Sequence, residues 1–215
     1  MRTAEELISR EEHAWSLVQE SLQRGGGQVV IRAASVARGQ RALAHLQVST
    51  RSPLGAVALE ADHIVIDHGW LRILGAGSKG VWGLVEWNPE PEDAGFLIVA
   101  HDVLGGLFAL NGGALPGETG KVVYFAPDAL RWEPCGLGFS EFLSWVATER
   151  VGQFYGGQRW VGWEVECSRL EPDQGLSVYP FLWAEGPSIG ERSRRRVPMA
   201  ELWSVAQEVK GKMGL

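Results

Sequence analysis

The amino-acid sequence predicts a single α+β domain with a central antiparallel β-sheet, a meander, and helices at the N-terminus, after the sheet and at the C-terminus. Three observations carry that expectation. Residues 96–100 (Phe-Leu-Ile-Val-Ala) and 106–110 (Gly-Leu-Phe-Ala-Leu) are apolar runs joined by a short connection containing Asp102, Gly105 and Gly106. Continuous apolarity on both arms places this hairpin at the centre of a sheet. Between Pro53 and Cys135 further short β-type runs alternate with turns and no long helix, so the crossovers that a parallel sheet needs are missing. Helical spacing is confined to the two ends and to one stretch after the sheet.

Taken in order, Thr3 with Glu6 and Ser9 with Glu12 are spaced as capping boxes, and Trp15, Val18 and Leu22 fall on one helical face that Gly25 to Gly27 ends. Residues 28–32 read as a short strand. Residues 35–46 read as a helix with Val36, Leu43 and Leu46 on its apolar side, although Gly39 weakens helical propensity. Residues 55–60 and 63–67 are expected as strands separated by a tight turn at Ala61 and Asp62, with a third strand over 70–74. Pro89 and Pro91 exclude a long helix over the less regular segment 75–93. After the central hairpin, a polar, glycine-rich loop over 111–120 precedes strand-like 121–126, a turn at Pro127 and Asp128, and a returning run over 130–135. Phe139, Phe142, Leu143 and Val146 then repeat at helical spacing. A helix within 158–168, a strand over 176–181 and a polar, basic segment over 191–197 follow. The last helix, over 199–212, turns Leu202, Val205, Ala206 and Val209 inward. The expected organisation is one domain over 1–215, with a helical part over 1–50 and a C-terminal extension over 151–215.

At 215 residues, 45% hydrophobic and 21% charged, the chain has the composition of a soluble globular protein that buries a core. Its net charge of −6 gives no electrostatic footprint for nucleic acid. Ten tryptophans fit either a well-filled core or a binding surface. Cys135 and Cys167 share no metal or redox spacing, and a reducing, cytoplasmic setting is the expectation. The first residues form no apolar signal core, and nowhere do about 18 apolar residues run together, so neither export nor a membrane partner is expected.

Several motifs invite chemistry. Gly75, Gly77 and Gly80 fit G-x-G-x-x-G after a strand, with Asp102 ending the next strong strand near the place of a ribose-binding acid. That fingerprint requires a helix opening at the third glycine, whereas Gly83 and Pro89 interrupt the following segment. The spacing from Gly112 to Gly117 imitates a phosphate loop, but Glu118 stands where a lysine is needed. Asp67, His68, His101 and Asp102 would suit a metal or an acid–base pair if their strands were neighbours; the plainer reading is polar residues at strand ends. No catalytic set, metal set or cofactor motif stands out. Arg192, Arg194, Arg195 and Arg196 form a basic cluster that either meets an acidic partner or docks on the chain's own carboxylates. Tyr155, Arg159, Trp160 and Trp163 are residue types that make interface hot spots, or else they clamp the C-terminal segment onto the sheet.

Six stretches together resemble a family of bacterial proteins of about this length that carries only a domain-of-unknown-function label. They are Thr50-Arg-Ser-Pro-Leu-Gly-Ala56, Asp67-His-Gly-Trp-Leu-Arg-Ile-Leu-Gly75, Ala109-Leu-Asn-Gly-Gly113, Tyr124-Phe-Ala-Pro-Asp128, Phe154-Tyr-Gly-Gly-Gln-Arg-Trp160 and Val197-Pro-Met-Ala-Glu-Leu-Trp203. The match spans nearly the whole chain and implies no activity. A looser likeness over about residues 53–147, from strand 96–100 through Gly120-Lys-Val-Val-Tyr124 to the helix opening Phe139-Ser-Glu-Phe-Leu143, is similar to the SUKH superfamily. That resemblance implies an α+β fold that binds other proteins, as in bacterial immunity proteins that neutralise toxins by direct contact. It names no catalytic residues, and the residues after the shared helix depart from it.

The functional expectation is therefore a non-enzymatic protein-binding module, immunity-like and toxin-neutralising. Its candidate contact residues are Tyr155, Arg159, Trp160, Trp163, Arg194, Arg195 and Arg196, and its acidic charge would favour a basic partner. The alternative is an enzyme or a small-ligand or nucleotide-binding protein with a cleft near Asp67, His68, His101 and Asp102. Oligomeric state is left open.

Overall fold

The computed structural model describes residues 1–214, apart from the side chains of Glu92 and Asp93. The first capping box forms reciprocally: the Thr3 amide donates to Glu6 at 2.7 Å, and a single helical turn, α1 (Ala4–Leu7), starts there. The second is half made, with the Glu12 amide donating to Ser9 Oγ at 3.2 Å, and α2 (Trp15–Arg24) begins only later. Val18 and Leu22 are its buried residues. After β1 (Val29–Ala33), α3 (Val36–Leu46) buries Ala42 and Leu43 but leaves Val36 exposed. Gly39 serves a contact in that helix. A methyl group there would run into the Leu59 carbonyl oxygen, so glycine permits the close approach of the next helix.

Residues 53–60 are that next helix, α4 (Pro53–Glu60), and not the expected strand. Ser52 Oγ accepts the Gly55 amide at 3.1 Å and Pro53 fills the first turn, both strong start signals. Its apolar run shows no helical period because Gly55, Ala56, Val57 and Ala58 are all buried, and a short run of that kind reads equally as a buried strand. Ala61 and Asp62 accordingly begin β2 (Ala61–Ile66) rather than forming a turn. A 3-10 turn (Asp67–Gly69) leads to β3 (Leu71–Leu74) and two short helices, α5 (Leu84–Trp87) and α6 (Pro91–Ala94).

The hairpin of β4 (Phe96–Asp102) and β5 (Leu107–Asn111) follows, then β6 (Val122–Ala126) and β7 (Arg131–Pro134). The sheet is an antiparallel meander of seven strands in the order β1 to β7, which puts β4 in the middle as the apolar runs predict. The polar loop before β6 is organised by Asn111, whose side chain accepts the Gly113 amide at 2.8 Å and donates to the Leu115 carbonyl at 2.9 Å.

Beyond the sheet come α7 (Phe139–Val146), α8 (Arg150–Phe154) and α9 (Trp163–Cys167). The segment read from sequence only as polar and basic forms a strand: β8 (Gln174–Tyr179) and β9 (Ser193–Pro198) make a separate antiparallel ribbon. Helix α10 (Met199–Met213) closes the chain, with Met199 and Ala206 its buried residues. The two faces of the sheet carry different covers. Phe108 and Tyr124 meet Phe142 of α7 and Phe154 of α8, with ring centroids 5.0 and 5.1 Å apart. On the opposite face Phe125 meets Trp203 of α10 at 5.1 Å, and His101 lies beside Trp87 of α5 at 6.1 Å. Among the described residues no helix is long and apolar enough to cross a membrane.

A candidate polar cleft on the sheet

The second of those faces carries a row of basic and imidazole side chains across four adjacent strands. Arg32 of β1 pairs with His63 of β2, Val65 of β2 pairs with Arg72 of β3, and Arg72 pairs with His101 of β4. Directly opposed residues point the same way, as do residues two apart on one strand, so Arg32, His63, Arg72 and His101 share a face. At the β1 edge this face meets the end of α9 and the turn that follows it. It opens as a cleft of about 570 Å³ whose lining includes Arg32, Asp62, His63, His68, Arg72 and Cys167.

Arg72 is the anchor. Only 3% of it is exposed, yet its two hydrogen bonds go to backbone carbonyls, Gln174 at 2.7 Å and Leu170 at 3.3 Å. Among the described residues it makes no ion pair with a carboxylate. Burial lowers its pKa to about 10, which still leaves it charged at neutral pH. His63 is 8% exposed, and burial holds its pKa below the ordinary value against the pull of Asp62. Its Nδ1 lies 3.4 Å from Asp62 Oδ2, close enough for an ion pair if protonated but not aligned as a hydrogen bond; that nitrogen and Asp62 Oδ1 are buried without a hydrogen-bond partner among the described residues. His101 is sealed beneath α5. Burial first, and the Arg72 charge second, push its pKa down to about 3, so it is neutral. Burial raises Cys167 to about 12 and keeps it a thiol.

A second polar centre holds the C-terminal segment in place. Asp102 is fully buried, and its carboxylate accepts the hydroxyls of Tyr124 at 2.7 Å and Tyr155 at 3.1 Å and the amides of Leu104 and Gly106, each at 2.9 Å. Burial nevertheless raises its pKa, because desolvation of the charge outweighs those four donors. Trp70, also fully buried, packs against Tyr155, Trp160 and Trp163 at 5.3, 5.7 and 5.2 Å. Arg159 lies over the Trp163 ring at 4.0 Å and forms an ion pair with Asp67.

The structure places the site residues read from sequence as follows. Tyr155, Trp160 and Trp163 are at most 9% exposed, and their rings fill an aromatic core. Arg159 and Arg194 are engaged internally; Arg194 stacks on Trp160 at 4.3 Å and bonds Glu166 at 3.2 Å. Arg195 pairs with Glu201 at 3.2 Å on the surface, and Arg196 is exposed. Asp67, His68, His101 and Asp102 do not converge. His101 and Asp102 are consecutive in a strand and so face opposite sides, Asp67 is held by Arg159, and only His68 borders the cleft. At Gly75 to Gly80 no helix opens: Ser78 bridges to Val81, and the four-residue α5 starts only at Leu84. Among the described residues no three His, Cys, Asp or Glu side chains group as a metal site. The residues that sequence reasoning missed are Arg32, Asp62, His63 and Arg72. An arginine inside the apolar run Trp70 to Leu74 is the one signal that pointed to them.

The fold and the cleft define an α+β protein with a seven-stranded antiparallel meander and a polar opening on one face. The chain belongs to the family described as "Protein of unknown function DUF2625", whose model matches residues 4–202. It is similar to a "Putative uncharacterized protein YbfG" of Escherichia coli (strain K12), 37% identical over 213 residues and covering 98% of each chain. It is also similar to an "Uncharacterized protein" of Haemophilus influenzae, 36% identical over 205 residues, 92% of this chain and 90% of the other. No solved structure matches.

Proposed function

We propose that the chain binds a small anionic molecule in the cleft at the β1–β3 edge of the sheet. The observation that carries this reading is Arg72, a guanidinium that is 3% exposed, bonds carbonyl oxygens and has no carboxylate at ion-pair distance among the described residues, Asp173 and Glu171 acting on it only from farther off. A charge so placed is costly unless an opposite charge meets it, and the guanidinium fork suits a carboxylate or phosphate. Arg32 reaches the same cleft from the neighbouring strand. It is exposed and has no hydrogen-bond or ion-pair partner among the described residues, so it serves the opening rather than the core. A thermal-shift series with inorganic phosphate and with small carboxylates tests the reading. At ten times the dissociation constant a true ligand adds about 1.4 kcal/mol, or about 3–5 °C in a chain of this size. Arg32→Gln should fold normally and lose that shift. An equal shift in both proteins would mean general salt stabilisation and would end the proposal.

A second reading, the immunity-like protein-binding module, is favoured by the net charge of −6, by the SUKH-like order of elements over about residues 53–147, and by exposed apolar side chains after the sheet. Val161 and Val165 are 103% and 54% exposed, and Phe154 and Tyr179 are 44% and 67% exposed. A basic partner protein, such as a nuclease toxin, would be steered by that charge. Its test is a complex with such a protein on size-exclusion chromatography that Val161→Asp with Val165→Asp abolishes; a complex unaffected by both changes would remove this surface from consideration.

A further inference from the structure

Resting on the anion-binding reading of this cleft, we infer that its ligand is a small organic acid that also carries an amino group, an amino-acid-like zwitterion, with its acid group on Arg72 and Arg32 and its amino group on Asp62. Three observations point beyond a simple anion. The cleft, at about 570 Å³, is of a size that takes a metabolite. Its two ends make opposite demands. Arg72 and Arg32 call for negative charge, whereas Asp62 Oδ1 is a buried acceptor without a donor among the described residues. Buried carboxylate oxygens are ordinarily satisfied, and an unmatched one beside an opening calls for a donor from the ligand, best supplied by a cation.

The spacing suits one small molecule. His63 opposes Arg32, and Arg72 opposes Val65, two residues along β2 from His63. His63 and Arg72 are thus diagonal neighbours about 7–8 Å apart along the sheet, and Asp62, the extra residue of the bulge between β1 and β2, keeps its carboxylate 3.4 Å from His63 Nδ1 on the same cleft. Arg32, Arg72 and Asp62 line one cleft, so a single small molecule can meet both signs of charge. His63, whose Nδ1 faces Asp62 without a hydrogen bond, lines the same cleft. A zwitterion also leaves the net charge of the cleft unchanged on binding, so both unmatched groups are satisfied at once.

The test is a thermal-shift screen of the twenty common amino acids, each hit being compared by calorimetry with the carboxylic acid that lacks only its amino group. The inference predicts that at least one amino acid binds ten-fold or more tightly than its deaminated counterpart, and that Asp62→Asn narrows that difference to less than about three-fold while Arg32→Gln weakens both compounds. If simple acids and inorganic phosphate bind in an Arg32-dependent way but amino acids bind no better, the anion reading stands and the zwitterion is wrong. If no amino acid binds, the zwitterion is likewise wrong. If neither amino acids nor simple anions bind, both readings fall.

Discussion

Arg72 and Gln174 lie 102 positions apart, and the Arg72 guanidinium donates to the Gln174 carbonyl oxygen at 2.7 Å. The same side chain bonds the Leu170 carbonyl, so one arginine in β3 ties the whole turn between α9 and β8 to the sheet. That turn is a wall of the cleft. The link makes Arg72 both a structural pin and the floor of the proposed site.

Replacing Arg72 with Met separates these roles. Removing a buried charge is favourable in itself, but the Leu170 and Gln174 carbonyl oxygens lose their donor, at about 1–3 kcal/mol for a buried unsatisfied group. The lost bonds should win, and urea unfolding should show a net loss of about 2 kcal/mol. A variant as stable as the parent would mean that the pin is worth nothing.

Acid sensitivity should trace to His101. Its folded pKa of about 3 lies below the ordinary value of 6.5, so between them the unfolded chain binds the extra proton. Its contribution is complete above pH 6.5 and is lost as the pH falls toward 3, amounting to about 3 kcal/mol between pH 7 and pH 4. His63, lowered for the same reason, acts in the same direction. Asp102 acts in the opposite one: its raised pKa gives stability below its unfolded value of 3.8 that declines as the pH rises through the folded value. Denaturant titrations at several pH values should therefore show a flatter profile in His101→Leu and a steeper one in Asp102→Asn. The same slope in all three proteins would contradict this assignment.

Gly39 sets two effects against each other. Alanine gains about 1 kcal/mol of helix propensity in α3, but its methyl would meet the Leu59 carbonyl oxygen, a backbone atom with little room to move. Overpacking of this kind costs about 1–3 kcal/mol. Gly39→Ala should therefore lower the melting temperature, and a rise would show that α3 and α4 can separate freely.

The parts of this molecule that were legible in the sequence are those where one local pattern has one meaning. The central hairpin could be read because unbroken apolarity on two short arms requires cover on both faces, which is what β4 and β5 have. Helix α4 could not, since a run of small apolar residues buried nearly all round has neither the helical nor the strand period. Strand β9 was hidden behind its arginines, whose alternation with the ribbon partner is visible only in the pairing. The aromatic stretch around Tyr155 was visible as a cluster, but composition does not say which way rings point, and Trp70 draws them inward. The cleft was the least legible feature: Arg32, His63 and Arg72 sit on three separate strands, and only the register between those strands brings them onto one face.

The most direct measurement is a crystal structure of the protein soaked in selenate, an anion whose anomalous scattering locates it unambiguously. The account predicts a peak in the cleft within hydrogen-bonding distance of the Arg72 and Arg32 guanidinium groups, weakened or absent in Arg32→Gln. Selenate bound elsewhere on the surface while this cleft stays empty would contradict it.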